Sequence, residues 1–189
     1  QVAFAAIGAV AAVRVGTDMG SVALGLVAGG LAGAAASAVV GLPALRVRGL
    51  QLAIATLAFA LATFSWLLRQ DWAFGVGRSS RPLKFLGAEI TTSKGYYYVA
   101  LVAFVSILAL ASIVSGSAFG RSLVALRDNE NAARVFRIAP RRTTLLAYGF
   151  SGFIAGLGGS VLAFANSFVT RALFTPSDSI NVVSVAVIG

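Results

Sequence analysis

Apolar residues in this chain run in long blocks that charged residues bound but do not enter. Four windows, 19–45, 49–68, 95–120 and 143–170, hold no Asp, Glu, Lys or Arg over 27, 20, 26 and 28 residues. Ionised side chains are costly in hydrocarbon, so a chain that crosses a bilayer keeps them out of its spans. About 20 apolar residues at ~1.5 Å rise make a helix ~30 Å long, the thickness of the hydrocarbon core. The pattern predicts an all-α, polytopic transmembrane helical bundle with four full spans and a partial helix at each end.

Residues 1–13 are uncharged but too few to cross alone, which predicts a truncated or re-entrant helix followed by a turn at Arg14 to Asp18. The first full span is expected over Val22 to Leu42, ended by Pro43. The second runs from Leu50 to Leu68, with Trp66 as an interfacial anchor. A polar loop from Arg69 to Lys94 carries Gly75, Gly77 and Pro82. Tyr96, Tyr97 and Tyr98 then form an aromatic belt opening a third span that reaches Ser115. A charged loop follows from Arg121 to Arg142. The fourth full span covers Thr144 to Asn166, then a short loop with Pro176, and a last helix starts near Ser179. With apolar runs at both termini and no initiator Met, residues 1–189 are expected to be a piece of one transmembrane domain.

Small residues recur within the spans. Gly25, Gly29, Gly33, Ser37 and Gly41 stand at every fourth position, and Gly152, Gly156 and Ser160 repeat the spacing. Such stripes let two helix backbones approach closely. The expectation is dense packing inside one subunit, ahead of a sliding seam or a subunit interface. Polar residues inside the spans are Gln51, Thr56, Thr63, Ser65, Ser106, Ser112 and Ser151. Ser and Thr bond to their own helix carbonyls and need no functional account. No intramembrane carboxylate, Lys or His is present, which argues against ion-coupled transport.

Composition agrees with the pattern: 58% of residues are hydrophobic and 11% charged, and the mean hydropathy is +0.90. A soluble domain carries about 25% charged residues. There is no Cys and no His, so disulfides, thiolate chemistry and the usual zinc sets are absent; no metal and no cofactor are expected. The net charge of +9 lies in short loops, where lipid head groups explain it better than nucleic acid, which is not an expected partner. Helix alternation puts loops 43–49 and 116–143 on one face and loops 14–20, 69–95 and 167–178 on the other. The 15 Lys and Arg divide eight to seven between them, so charge alone does not orient the chain. Catalysis needs positioned acids, bases or metals. The spans offer only Tyr148 and the belt tyrosines, so an enzyme is not expected and no catalytic residue is assigned.

The loop FGRSLVALRDNENAARVFRIAPRR (119–142) alternates apolar and charged residues at helical spacing. Leu123, Val124, Leu126, Ala132, Ala133, Val135, Phe136 and Ile138 supply the apolar positions. Asp128 or Asn129 can cap a second short helix starting near Glu130. Glu130 and Arg134 stand four apart in the favourable order, and Pro140 stops that helix. The prediction is two short amphipathic helices outside the bilayer. Two readings stand level on these grounds: a helix lying on lipid, with its arginines at the phosphates, and a docking surface for a soluble partner.

At this point the residues resemble a known family. GLPALRVRGLQLAIATLAFA (41–60) and SLVALRDNENAARVFRIAPRRTTLLAYGFSGFIAGLGGSVLAF (122–164) are similar to M-type permease subunits of bacterial branched-chain amino acid ABC importers. QVAFAAIGAVAA (1–12) and SINVVSVAVIG (179–189) resemble that family's opening and closing stretches, so the resemblance covers nearly the whole chain. It implies that 1–189 belongs to one permease domain in the bacterial cytoplasmic membrane, and that 116–143 is its cytoplasmic coupling loop. Ala125, Arg127, Asp128, Glu130, Ala132, Ala133, Arg134 and Ile138 would then contact an ATP-binding subunit. The implied partners are ATP-binding subunits, a second related permease, an extracellular or periplasmic solute-binding protein, and membrane lipid. The implied cargo is a branched-chain or related amino acid, or a small amide such as urea. The chain has no GxxxxGK[ST] phosphate loop, so ATP hydrolysis is expected on a separate subunit.

Two departures from the family pattern stand out. The family usually has Gly where this chain has Arg137, which predicts a changed end to the second short helix. It often shows GGPNG where this chain has Gly75-Val76-Gly77-Arg78-Ser79-Ser80. The other readings are an ATP-independent channel or facilitator and a sugar-type ABC permease.

Overall fold

In the computed structural model, residues 1–45, 50–73, 78–79, 83–85, 88–90, 93–166, 168–170, 173–174, 181, 184–185 and 188 are described. Among them, seven α-helices follow in order: α1 (Val2–Met19), α2 (Val22–Ala44), α3 (Leu50–Ser65), α4 (Ser93–Gly116), α5 (Ala118–Asp128), α6 (Glu130–Val135) and α7 (Pro140–Ala165). A single 3-10 turn, Leu67–Arg69, follows α3. Four of the helices are long and apolar enough to cross a membrane: α1, α2, α4 and α7.

The number of spans agrees with the hydropathy pattern, but two of the assignments change. Residues 1–13 are not followed by a turn. The helix continues through Arg14 to Met19, giving 18 residues and about 27 Å. A cation ended the apolar window without ending the helix, because the Arg14 side chain has somewhere to go, as described below. Conversely, the expected full span at 50–68 becomes a 16-residue α3, about 24 Å long. Its backbone leaves α geometry at Trp66 (φ −116°) and tightens into the 3-10 turn.

Local chemistry accounts for the helix ends. Gly20 closes α1 in the left-handed region at φ 64°, with its N–H donating to Gly16 O, a conformation that costs other residues a Cβ clash. Ser21 caps the start of α2, its hydroxyl accepting from Leu24 N at 3.5 Å. Pro43 falls in the last turn of α2, which ends one residue later. Pro140 does not only stop the preceding helix; it is the first residue of α7, where a missing N–H costs nothing.

α1, α2 and α7 pack mutually and form the centre of the bundle, with α3 against α1 and α4 against α7. Backbone approach makes this possible. A Cβ on Gly8 would stand 2.5 Å from Gly156 Cα, and one on Gly29 would stand 2.7 Å from Gly8 O. A Cβ on Gly33 would run into Gly152 O, and one on Gly25 would lie 2.6 Å from the Phe164 ring. Gly25, Gly29, Gly33 and Gly41 of α2 thus face α1 or α7, and Gly152 and Gly156 of α7 face α2.

Two buried hydroxyls join the same helices. Ser37 Oγ lies 2.7 Å from Tyr148 O and 2.9 Å from Ala34 O. Ser160 Oγ donates to Gly156 O at 2.6 Å and lies 3.5 Å from Gly8 O. The hydroxyls expected to bond to their own helix do so at Ser65, Ser106 and Ser112.

α4 is almost wholly exposed along its apolar length, as suits a helix facing lipid or another membrane chain. Between α3 and α4, two short antiparallel ladders replace an irregular loop. Leu83–Phe85 pairs with Ala88–Ile90, and Arg78–Ser79 pairs with Phe168–Val169. The second ladder joins the loop after α3 to the loop after α7, two segments that helix alternation puts on one face. Gly75, Gly77, Pro82, Pro176 and the expected start of a last helix at Ser179 lie outside the described residues.

Candidate functional site: the α5–α6 connector

The connector between α4 and α7 is built from sequence signals that each satisfy a backbone group. Ser117 breaks α4 from α5 and caps the new helix, its Oγ accepting from Gly120 N at 3.2 Å. Arg121 Nη1 reaches back to Gly116 O at 2.9 Å, placing a cation on the carbonyl end of α4 where the helix dipole favours it. Asn129, one of two candidates for the cap of α6, holds that role: its Oδ1 accepts from Asn131 N at 3.0 Å and Ala132 N at 3.1 Å. Such caps contribute about 1 kcal/mol each.

The end of α6 differs from expectation. Arg137 in place of Gly does not change how the helix terminates. Arg137 itself takes the left-handed conformation, φ 59°. Arg137 N donates to Arg134 O and Ile138 N to Ala133 O, each at 3.1 Å, the paired closure that usually employs Gly. A non-Gly residue pays ~1–2 kcal/mol for this conformation. Arg137→Gly is therefore expected to stabilise the turn by about 1 kcal/mol. Hydrogen exchange at the Ile138 amide should slow by about fivefold; unchanged or faster exchange would show that the arginine carries no strain.

The structure brings the coupling candidates into one elbow but gives them different surroundings. Arg127, Asp128, Ala132 and Arg134 are exposed, Ala125 and Ile138 are half-buried, and Ala133 is buried. Arg127 and Asp128 pair at 3.1 Å, an exposed contact worth little to stability. The expected Glu130–Arg134 pair involves a side chain outside the described residues. The most prominent apolar groups on the elbow are Val135 and Phe136, 80% and 79% exposed at the tip of α6. They fit the helical spacing of the loop, but nothing in that spacing told outward from inward on so short a helix. Arginines 121, 127, 134, 137, 141 and 142 flank them in the sequence.

Beside the root of the connector an apolar groove of about 670 Å³ opens between α2 and α7, lined by Ala34, Ala38, Phe119, Leu145 and Phe150 among others. It offers no charged group to orient a polar solute. At the opposite end of α7, the first turn of the α3–α4 loop closes over α1. Arg14, expected in a turn, lies in α1 with its guanidinium carbon 5.8 Å from the centre of the Trp72 ring.

These helices define a multi-pass membrane protein of the helical-bundle class. The chain belongs to the family described as the branched-chain amino acid transport system / permease component, whose model matches residues 1–189. It is similar to the high-affinity branched-chain amino acid transport system permease protein LivM of Escherichia coli (strain K12). That match is 31% identical over a 187-residue alignment, covering 85% of this chain and 44% of the relative. LivM of Salmonella typhimurium (strain LT2) matches at 30% over 186 residues, again 85% of this chain and 44% of the relative. A shorter stretch of 63 residues, 33% of this chain and 18% of the relative, is 40% identical to the autoinducer 2 import system permease protein LsrC of Klebsiella pneumoniae. The chain thus spans less than half the length of the LivM relatives. No solved structure matches it significantly.

Proposed function

We propose that this chain is the membrane-spanning part of a permease subunit in an ATP-driven importer of the bacterial cytoplasmic membrane. ATP is hydrolysed on separate subunits, a second related permease completes the path, and a solute-binding protein delivers cargo from outside. The cargo is a branched-chain or related amino acid, or a small amide. The observation that carries this reading is the α5–α6 elbow: a hydrogen-bonded unit ending in the exposed pair Val135 and Phe136. A free channel has no use for a rigid apolar tip held away from its bundle. A motor subunit with a groove for that tip does, and the LivM likeness supplies the transport system in which such a subunit would work. On this reading the connector faces the cytoplasm, and the end bearing Arg14 and Trp72 faces the exterior.

The charge on the elbow tests the docking role. Reversing it with Asp128→Arg and Glu130→Arg together should cut cargo uptake by about tenfold or more while the bundle keeps its melting behaviour. ATP turnover would continue but lose its dependence on cargo. Normal coupled uptake in the double variant would remove the docking role from this face.

A further inference from the structure

Arg14 carries a positive charge inside a helix that is otherwise a membrane span, and α1 is the most enclosed of the four candidate spans. Its side chain is half-buried. Its Nε is buried with no hydrogen-bond partner, and among the described residues no carboxylate pairs with the guanidinium. Asp18, one turn along α1, and Asp71, beside Trp72, are both exposed. The flanking residues are dry: Val13 and Ala73 belong to one buried cluster with Leu68 and Val169. The contact assigned to the charge is the face of Trp72, 5.8 Å from the guanidinium carbon. A ring face steadies a cation but uses none of its five N–H donors. Buried donors without acceptors are costly, and a charge within a span points to function.

We infer that Arg14, braced on Trp72, is a receptor for the carboxylate of the cargo at the entry end of the bundle. The ring accepts none of the guanidinium N–H groups, and Nε is left without an acceptor. A guanidinium is the fork that grips a carboxylate through two parallel hydrogen bonds, which a lysine cannot reproduce. The place also fits. Val169 of the same cluster follows α7 at the end remote from the connector, so the receptor stands where cargo would arrive. A lipid phosphate offers related chemistry, but this group lies between α1 and the turn after α3, not on the outer face of α4. The inference rests on the amino-acid importer reading for the identity of its ligand.

The test uses the full chain in phosphatidylcholine nanodiscs with every other Trp, Trp66 included, replaced by Phe, so that Trp72 alone reports. L-leucine and isovalerate, which share a carboxylate, should each shift Trp72 emission saturably. Leucinamide, which lacks one, should not. Arg14→Gln should abolish the response. Arg14→Lys, which keeps the charge and guards against a folding defect, should weaken it by about tenfold. An equal response to leucinamide, no response to any probe, or full binding by Arg14→Lys would overturn the receptor. A shift seen only when phosphatidylglycerol is added would assign Arg14 to a lipid head group and overturn it equally. Binding of isovalerate without leucine would keep the receptor and defeat the amino-acid reading instead.

Discussion

Gly156→Val should be among the most damaging single substitutions in this chain, and Gly158→Ala, two residues away, should cost no stability. A Cβ at Gly156 would collide with Gly29 O and stand 3.1 Å from Gly33 Cα. Both obstacles are backbone of α2, so neither can turn aside as a side chain would. Overpacking typically costs ~1–3 kcal/mol. Here the whole of α7 must move off α2, so the loss should reach or exceed the upper end of that range. A chain of this size should melt about 6–12 °C lower. Around Gly158 nothing lies within 4 Å, and alanine is a better helix former than glycine by about 1 kcal/mol. Thermal unfolding of both variants in the same detergent checks the pair. Equal midpoints would mean that α2 and α7 do not meet as described.

The second large effect belongs to function. Val135→Asp with Phe136→Asp should eliminate uptake by the assembled transporter and leave the bundle intact. Both side chains are about four-fifths exposed, so the charges meet water and not the core, and the fold has little reason to respond. A docked partner would bury them. Removing each apolar group from such a contact forfeits ~1.5–3 kcal/mol, and the buried carboxylates add desolvation cost. Together these weaken docking by two or more orders of magnitude. Co-purification of the ATP-binding subunit and cargo uptake should fall together. Retained co-purification with normal uptake would place the docking contact elsewhere.

Much of the fold could be read from the spacing of charges, because the bilayer penalty acts on every ion regardless of tertiary detail. The exceptions show where that logic fails. Arg14 ended an apolar window but not a helix, since an aromatic face across the bundle receives it. Leu50 to Leu68 had the right length and composition, yet the backbone tightens at Trp66, and no Gly or Pro marks the change. The glycine stripe pointed to close packing, but spacing alone does not name the partner helix; that required Gly8, Gly152 and Gly156 in three dimensions. The cap at Asn129 was one of two candidates because Asp and Asn serve almost equally. The left-handed Arg137 runs against the rule that helix ends prefer glycine. Exposure of Val135 and Phe136 was not accessible at all, because a six-residue helix is too short for periodicity to define a buried side.

α7 is unbroken from Pro140 to Ala165. Its first residue follows the connector, and three residues past its end Phe168–Val169 is laced to Arg78–Ser79. It is a stiff shaft about 39 Å long, tied to other segments at both extremities and gripped at mid-length by glycine contacts with α2. A nudge delivered beside Pro140 therefore needs no relay of side chains to reach the far surface.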